Sequence, residues 1–242
     1  MAFAGIATAE KPTIVQVGNL KLTLNGGFSP KQLPKNTLAP IDLNFNGKIQ
    51  TVDGSHPPAL REVIVETDKN GAINAKGLPV CTAGQLNSRD TKAAEKACPN
   101  AIVGSGKTDV EIAFPEQAPI VAHSKLVAFN GGVKGGKTTI FIHAFLTVPV
   151  PAAVVTTVTV SKVHNGRYGT KSIAKVPVIA GGSGSPTFFE LDINRKFTYK
   201  GKKQSYLLAK CPDGHLNAKA TSIFSDGSKL TGSFVRSCTP KG

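Results

Sequence analysis

The stretch SKLVAFNGGVKGGKTTIFIHAFLTVPVP, residues 124–151, decides between two folds for this chain. Within it, Gly131, Gly136, Lys137 and Thr138 match the phosphate-loop pattern GxxxxGK[ST]. A phosphate loop needs a helix directly after the lysine, because the helix N-terminus helps to bind the phosphates. Here the lysine is followed by β-branched and aromatic residues and then by prolines, which favours a strand. We therefore predict a hairpin between antiparallel strands, with the glycines in its turn, and no nucleotide site.

Short alternating runs separated by turn dipeptides continue this pattern along the chain. Asn or Asp precedes Gly at positions 25, 46, 53, 70, 130, 165, 213 and 226, and these pairs suit tight turns. Between them, apolar and polar residues alternate, as expected for strands with one face on a core. Only SRDTKAAEKA, residues 88–97, has helical composition, with Ser88 or Asn87 as N-cap. We predict an all-β protein, an antiparallel β-sandwich with one short helix near 88–97.

The two halves of the chain share an internal similarity at a shift of 130 residues. The pattern CxxGxLN occurs at 81–87 and again at 211–217, and further identities extend the match from Gly54 to Thr91. Two related sandwich units, 10–118 and 119–242, are therefore predicted, divided near the segment FPEQAP. One continuous sandwich is the alternative.

The cysteine spacing favours disulfide bonds over a zinc site. The four cysteines include no CxxC pair, and no histidine stands at ligand spacing from them. Three pairings are open, and the pairing that closes the shortest loops would stabilise the fold by roughly 3 kcal/mol per bridge. The half-cystines concerned are Cys81 with Cys98, and Cys211 with Cys238.

The N-terminus and the cysteines together predict export. Ala7-Thr8-Ala9 is similar to a signal-peptidase site, so residues 1–9 are interpreted as the remnant of an export signal and the mature chain begins near Glu10. Disulfide bonds persist in oxidising compartments, which agrees with a secreted or cell-envelope location. No later segment is apolar, long and proline-free enough to span a bilayer, so a soluble exported product is expected.

The net charge of +14 comes mainly from lysine, since only five residues are arginine. Arginine suits bidentate contacts to phosphates and base edges, so specific nucleic-acid recognition is disfavoured. The densest basic group, RKFTYKGKK at 195–203, is the candidate contact for a polyanion, either an anionic cell-envelope polymer or another envelope protein. A solvated hairpin tip is the alternative interpretation. The candidate contact residues are Arg195, Lys196, Lys200, Lys202 and Lys203.

The segment FFELDINR, residues 188–195, contains the strongest catalytic candidate. Jelly-roll glycosidases use ExDxE or ExDxxE on one strand to bring a nucleophile and an acid/base carboxylate to the same face. Glu190 and Asp192 occupy the first two places, but Asn194 and Arg195 occupy both places where the acid/base could stand. No catalytic residue, metal ligand or cofactor-binding residue is therefore predicted. His143, in the apolar run IFIHAF, is expected in a core.

Four segments resemble exported bacterial β-rich proteins that usually carry no assigned activity: LPVCTAGQL, ACPNAIVGSG, SYLLAKCPDGHL and the terminal VRSC. The resemblance implies secretion and two disulfide bonds, and it transfers no catalytic or binding residue. The predicted function is therefore that of a non-catalytic secreted or cell-envelope protein that acts by surface contact, in part with acidic envelope polymers. The alternative is an extracellular hydrolase that uses carboxylates such as Glu190 and Asp192 in a cleft between the two units.

Overall fold

The computed structural model describes residues 10–242, so the predicted export signal at 1–9 lies outside the described residues. Short helices occur at α1 (Ala83–Leu86) and α2 (Thr91–Ala97), with single 3-10 turns at Pro99–Ala101 and Ala180–Gly182. No helix within residues 10–242 combines the length and the hydropathy needed to cross a membrane. The strands of this part of the chain are β1 (Thr13–Val17), β2 (Leu20–Ser29), β3 (Gln32–Pro34), β4 (Ala39–Pro40), β5 (Asp42–Thr51), β6 (Leu60–Asp68), β7 (Gly71–Ile73), β8 (Ile102–Phe114), β9 (Gln117–Lys134), β10 (Lys137–Leu146), β11 (Ala152–Asn165), β12 (Tyr168–Lys175), β13 (Gly184–Ile193), β14 (Lys196–Tyr199), β15 (Lys202–Ser205), β16 (Leu207–Ala209), β17 (His215–Phe224), β18 (Lys229–Ser237) and β19 (Thr239–Lys241).

The long strands form one twelve-stranded antiparallel sheet in the order β1-β2-β5-β13-β8-β9-β10-β11-β12-β6-β17-β18. The sheet is nearly closed, because its two edge strands meet: a Cβ placed on Gly232 of β18 would lie 3.0 Å from the side chain of Val15 on β1. The all-β prediction is confirmed. A sandwich is not confirmed, because the long strands join one sheet instead of two stacked ones. β13, from the second half of the chain, lies between β5 and β8 from the first, and the division near residue 118 stays a prediction.

Alternation along each strand places the core inside the curved sheet. On β2, Leu20, Leu22 and Leu24 are buried, while Lys21 and Thr23 lie on the outer face. The inner leucines pack with Ile49, Leu60, Phe224 and Leu230 in one cluster, and a neighbouring cluster surrounds the fully buried Tyr206. Each buried aliphatic side chain contributes about 1.5–3 kcal/mol to folding. The core is therefore shared by strands that are far apart in the sequence.

A partly buried ion pair connects Glu10 to Arg236 near the place where the edges of the sheet meet. Arg236 on β18 is 6% exposed and donates through Nε to the carbonyl of Gly26 on β2, and Nε also lies 3.1 Å from Glu10 Oε2. Glu10 accepts hydrogen bonds from Ser237 N and Oγ, both at 2.6 Å. Burial raises the pKa of Glu10, but the hydrogen bonds from Ser237 and the charges of Lys31 and Arg236 outweigh it and lower the pKa. The ionised carboxylate thus holds β18 against the segment that precedes β1.

The predicted hairpin at residues 124–151 is confirmed, with one difference in the use of its glycines. β9 and β10 pair antiparallel up to Lys134 opposite Lys137, and Gly135 and Gly136 form the turn with φ of 57° and 73°. Strand, and not helix, follows Lys137, so the fold does not form a phosphate loop there. Gly131 lies in a bulge of β9 and not in the turn, because the register shifts beside it.

Helix α2 lies inside the predicted range 88–97, but the predicted N-cap was wrong. The cap is Asp90, whose carboxylate accepts a hydrogen bond from Ala93 N at 2.8 Å, and not Asn87 or Ser88. Asn87 instead ends the unpredicted helix α1, which begins with a capping box between Thr82 and Gln85. Buried Leu86 and Ala94 pack on Val127 and Phe129, so the two helices cover part of the outer sheet face.

Both predicted disulfide bonds are present, and the pairing is the one that closes the shortest loops. Cys81 is bonded to Cys98 and Cys211 to Cys238, with sequence separations of 17 and 27 residues. The first bond connects the segment before α1 to the end of α2. The second connects the segment before β17 to the residue after β18. The first bond therefore closes the segment that contains both helices, and the second closes the segment that contains the β17–β18 hairpin.

His143 on β10 lies in the core beneath α2, as predicted. Its side chain is fully buried, and Nε2 lies 2.9 Å from the carbonyl oxygen of Arg89. Nδ1 is buried without a hydrogen-bond partner among the described residues. Burial lowers the pKa of His143, opposed by the Arg89 carbonyl and by the carboxylates of Asp90 and Glu95. The neutral imidazole is therefore the form that this site stabilises.

We expect the free energy of unfolding to fall as the pH drops below about 6.5, because the unfolded state then binds a proton that folded His143 resists. One such proton contributes a slope of at most about 1.4 kcal/mol per pH unit. Urea unfolding of His143→Gln, which retains an amide donor for Arg89, should give a flatter pH dependence. His164→Gln, at an exposed position on β11 with no ion pair among the described residues, is the matched control and should keep the wild-type slope. Equal slopes for all three proteins would contradict the assignment.

Candidate functional site

The connections between strands emerge at two opposite ends of the sheet. Because neighbouring strands are antiparallel, the segments 30–41, 69–101, 135–136, 166–167, 194–214 and 238–242 begin and end at one end, which we call the basic end. Within 69–101, helices α1 and α2 extend from this end onto the outer sheet face. The segments 18–19, 52–59, 115–116, 147–151, 176–183 and 225–228 lie at the other, which we call the opposite end.

The charges are separated between these two ends. The segments of the opposite end contain no lysine or arginine, and they contain the carboxylates Asp53, Glu116 and Asp226. The acidic residues in the segments of the basic end are only Asp90, Glu95 and Asp213. This separation concerns the connections alone, since Arg61, Lys175 and Lys229 lie on strand ends next to the opposite end. The basic residues in the segments of the basic end are Lys31, Lys35, Lys69, Lys76, Arg89, Lys92, Lys96, Arg167, Arg195, Lys196, Lys200, Lys202, Lys203, Lys210 and Lys241.

The predicted polyanion contact at 195–203 forms a separate two-stranded hairpin of β14 and β15 at the basic end. Lys200 and Gly201 form its turn, with φ of 50° and 73°. Lys202 and Lys203 follow the turn, and all three lysines at the tip are exposed. The lysines of the candidate polyanion contact that lie at the tip are therefore also the residues of the solvated hairpin tip.

The other two candidates at the base of the hairpin have partners within the protein. Lys196 Nζ lies 3.2 Å from Asp42 Oδ2, which neutralises it in part. Arg195 Nη2 donates to the carbonyl of Asn100 at 3.4 Å. Three of the five candidates therefore lie at the tip, and two have partners at the base.

Contacts of its aromatic residues hold the hairpin in place. Phe197 packs against the core cluster around Tyr206. Tyr199 lies so close to Gly77 that a Cβ there would be 2.0 Å from its ring. Asn74 Nδ2 also donates to Gln204 Oε1 at 3.0 Å. The tip lysines are thus presented on a supported element and not on a free loop.

Glu190 and Asp192 lie on the outer face of β13, where each has a polar neighbour. Glu190 Oε2 lies 4.0 Å from Lys107 Nζ, and Asp192 Oδ1 accepts a hydrogen bond from Asn44 at 2.7 Å. Both side chains are partly exposed on a sheet surface. Glu62 also projects outward on β6, opposite Lys175 of β12. Among residues 10–242, no group of three or more histidine, cysteine, aspartate or glutamate side chains is arranged to hold a metal ion.

A groove that the sequence did not indicate lies at the basic end, between the β11–β12 turn and the outer face of β17 and β18. It is a shallow depression, open to solvent, with a volume of about 460 Å³. Arg167 and Tyr168 form one wall, and Asn217, Lys219 and Val235 lie on the strands below them. The Asn165-Gly166 turn was recognisable in the sequence, but the strands that meet it were not.

Glu66 on β6 connects two residues of this groove. It pairs with Lys219 Nζ and accepts a hydrogen bond from Asn165 Nδ2 at 2.9 Å. The hydrogen bond with Lys219 is the main cause that lowers the pKa of Glu66 and raises the pKa of Lys219. Lys219 Nζ also lies 5.4 Å from the ring centroid of Tyr168. Lys219 is therefore held in one position at the groove.

Comparison with known proteins does not assign this chain to a family, because no protein-family model matches it and no curated protein matches it.

Proposed function

We propose that this protein is a non-catalytic secreted or cell-envelope protein that binds acidic polymers through its basic end. The observation that carries the proposal is the separation of charge: the connections at one end of the sheet bear many lysines, and those at the opposite end bear none. An acidic polymer is the partner that fits this end, because it offers many negative charges along one chain.

The tip of the β14–β15 hairpin is the central part of the proposed contact. Its lysines, Lys200, Lys202 and Lys203, are exposed, and they project from an element that is packed on the core. Lysine at such positions attracts phosphate or carboxylate groups without selecting a base or a fixed geometry. Binding of this kind releases counterions from the polymer, so its affinity falls steeply with salt.

An extracytoplasmic location is part of the same proposal. The two disulfide bonds support it, because such bonds persist in oxidising compartments and are rare in the cytosol. The envelope polymers outside a bacterial cell are rich in carboxylate or phosphate groups, and a basic protein exported to that compartment would meet them directly.

The test compares two triple variants with the same net charge. The tip variant replaces Lys200, Lys202 and Lys203 with glutamine. The control replaces Lys48, Lys175 and Lys229, which are also exposed and lie on strands away from the basic end. Binding to an anionic polymer is measured over a range of salt concentrations. The tip variant should show a shallower slope of log K against log salt than wild type, because the lost contacts no longer release counterions.

The control variant should keep the wild-type slope. An equal change in both variants would mean that net charge alone, and not the basic end, governs binding. Wild-type binding that is absent at low salt, or that does not depend on salt, would contradict the proposed function itself. An acidic protein that competes with the polymer at the same residues would instead identify an envelope protein as the partner.

A further inference from the structure

The guanidinium of Arg167, at this groove, is positioned by a chain of buried polar groups. Asp68 is 6% exposed and accepts hydrogen bonds from Asn217 N and Nδ2, both at 3.0 Å. Asn70 N and Nδ2 donate to the other oxygen of Asp68, at 3.0 and 2.8 Å. With its Nδ2 bonded to Asp68, Asn217 presents Oδ1 to Arg167 Nη1 at 2.9 Å. The buried carboxylate thus fixes the amide, and the amide fixes the exposed guanidinium.

This arrangement differs from that of the other basic residues at this end. The tip lysines are exposed and have no hydrogen-bond or ion-pair partner among the described residues, whereas the Arg167 guanidinium is oriented by a side chain that is only 8% exposed. Arg167 uses one of its five donors in this contact, so the remaining donors are available to a ligand. An oriented guanidinium can bind a carboxylate through two parallel hydrogen bonds.

The rest of the groove offers the surface that a sugar ring requires. Val235 is 51% exposed, and Tyr168 supplies an aromatic side chain with a phenolic hydroxyl. Ser233 and Asn165 add hydroxyl and amide groups along the same groove. Apolar contact with a few placed polar groups is typical of small-ligand sites. Lys219 lies over the Tyr168 ring, and Glu66 balances its charge.

We propose that this groove binds a carboxylated sugar residue of the acidic polymer, with the carboxylate on Arg167 and the ring against Tyr168 and Val235. The inference rests on the proposed function and adds the chemical class of its ligand. A linear polyphosphate would meet the same charges, but it has no ring or apolar face to occupy the surface between Tyr168 and Val235. The carboxylated sugar therefore fits the groove better than a phosphate chain does.

The experiment titrates the full-length protein with a short oligogalacturonate and with a linear polyphosphate of similar charge. Arg167→Lys keeps the charge but loses the two-bond geometry, and it should weaken oligogalacturonate binding about tenfold. Tyr168→Leu should also weaken it, while polyphosphate binding to both variants stays within about twofold of wild type. Arg61→Lys is the matched control, because Arg61 is the second residue of β6 and lies next to the opposite end. Circular dichroism confirms that each variant is folded.

The outcomes separate this inference from the proposed function. If Arg167→Lys and Tyr168→Leu leave oligogalacturonate binding unchanged but the tip variant weakens it, the groove is not the sugar site. The proposal that the basic end binds acidic polymers would then still stand. If Arg167→Lys weakens polyphosphate binding as much as oligogalacturonate binding, the groove is a general anion site. The proposal that it selects a carboxylated sugar would then be wrong. A wild-type protein that binds neither polymer overturns both proposals.

Discussion

Replacing Gly106 with alanine is expected to lower the free energy of unfolding by about 3 kcal/mol or more. A Cβ at Gly106 on β8 would lie 1.8 Å from the carbonyl oxygen of Glu190 on β13, and 2.9 Å from Leu191 Cα. These are backbone atoms of a central strand, which no change of rotamer can move. β13 would have to shift between β5 and β8, and the buried Leu191 would shift with it. Urea unfolding followed by circular dichroism measures the loss.

Gly84→Ala is the matched control for this prediction. Gly84 lies in α1, and a Cβ there meets nothing within 4 Å. Alanine is preferred over glycine in a helix by up to about 1 kcal/mol, so this variant should be as stable as wild type or slightly more stable. A loss below about 1 kcal/mol for Gly106→Ala, which is the ordinary cost of a point substitution, would mean that β8 and β13 are not packed as described.

Removal of the Cys211–Cys238 disulfide bond, by alanine at both positions, should lower the free energy of unfolding by about 3–4 kcal/mol. The bond closes a loop of 27 residues, and Cys211 is fully buried. It also supports the basic end, since Cys211 N donates to the carbonyl of Pro34 and β19 pairs with β3 next to it. We therefore expect faster amide exchange at 32–34 and 239–241, and weaker polymer binding.

The other disulfide bond gives a comparison in the same molecule. Alanine at Cys81 and Cys98 opens a loop of 17 residues, so the expected loss is about 3 kcal/mol. Here the faster amide exchange should appear in α1 and α2, and polymer binding should be kept. The same exchange pattern in both double variants would show that the two bonds stabilise the whole fold and not the segments that they connect.

Local sequence patterns predicted the features whose causes are local. The β9–β10 hairpin follows from glycines between two β-rich runs, and α2 follows from alanines after a capping residue. The cap itself was assigned wrongly because several residues before α2 can cap a helix, and α1 uses one of them, Asn87, for its own end. Helix α1 has only four residues, which is too short for a periodic pattern.

The candidate site was predictable only in part. The tip lysines follow Phe197 and Tyr199 in the sequence, so their place on a hairpin could be inferred from alternation and a turn. The engagement of Lys196 by Asp42 could not, because 154 residues separate the two in the chain. Arg167 was counted only as one of the few arginines. Its role at a groove depends on Asn217, 50 residues away, and on Asp68 behind it.

The sequence by itself determined that this chain forms antiparallel strands joined by tight turns and two disulfide bonds, because turn chemistry, side-chain alternation and the number of cysteines are properties of short segments. Only the tertiary structure decided that the long strands join one nearly closed sheet, since the same alternation suits two stacked sheets equally well. It also decided that the lysine-bearing connections meet at one end. Which connections share an end depends on the direction and pairing of every strand in the sheet, and that is set by long-range packing across the whole chain.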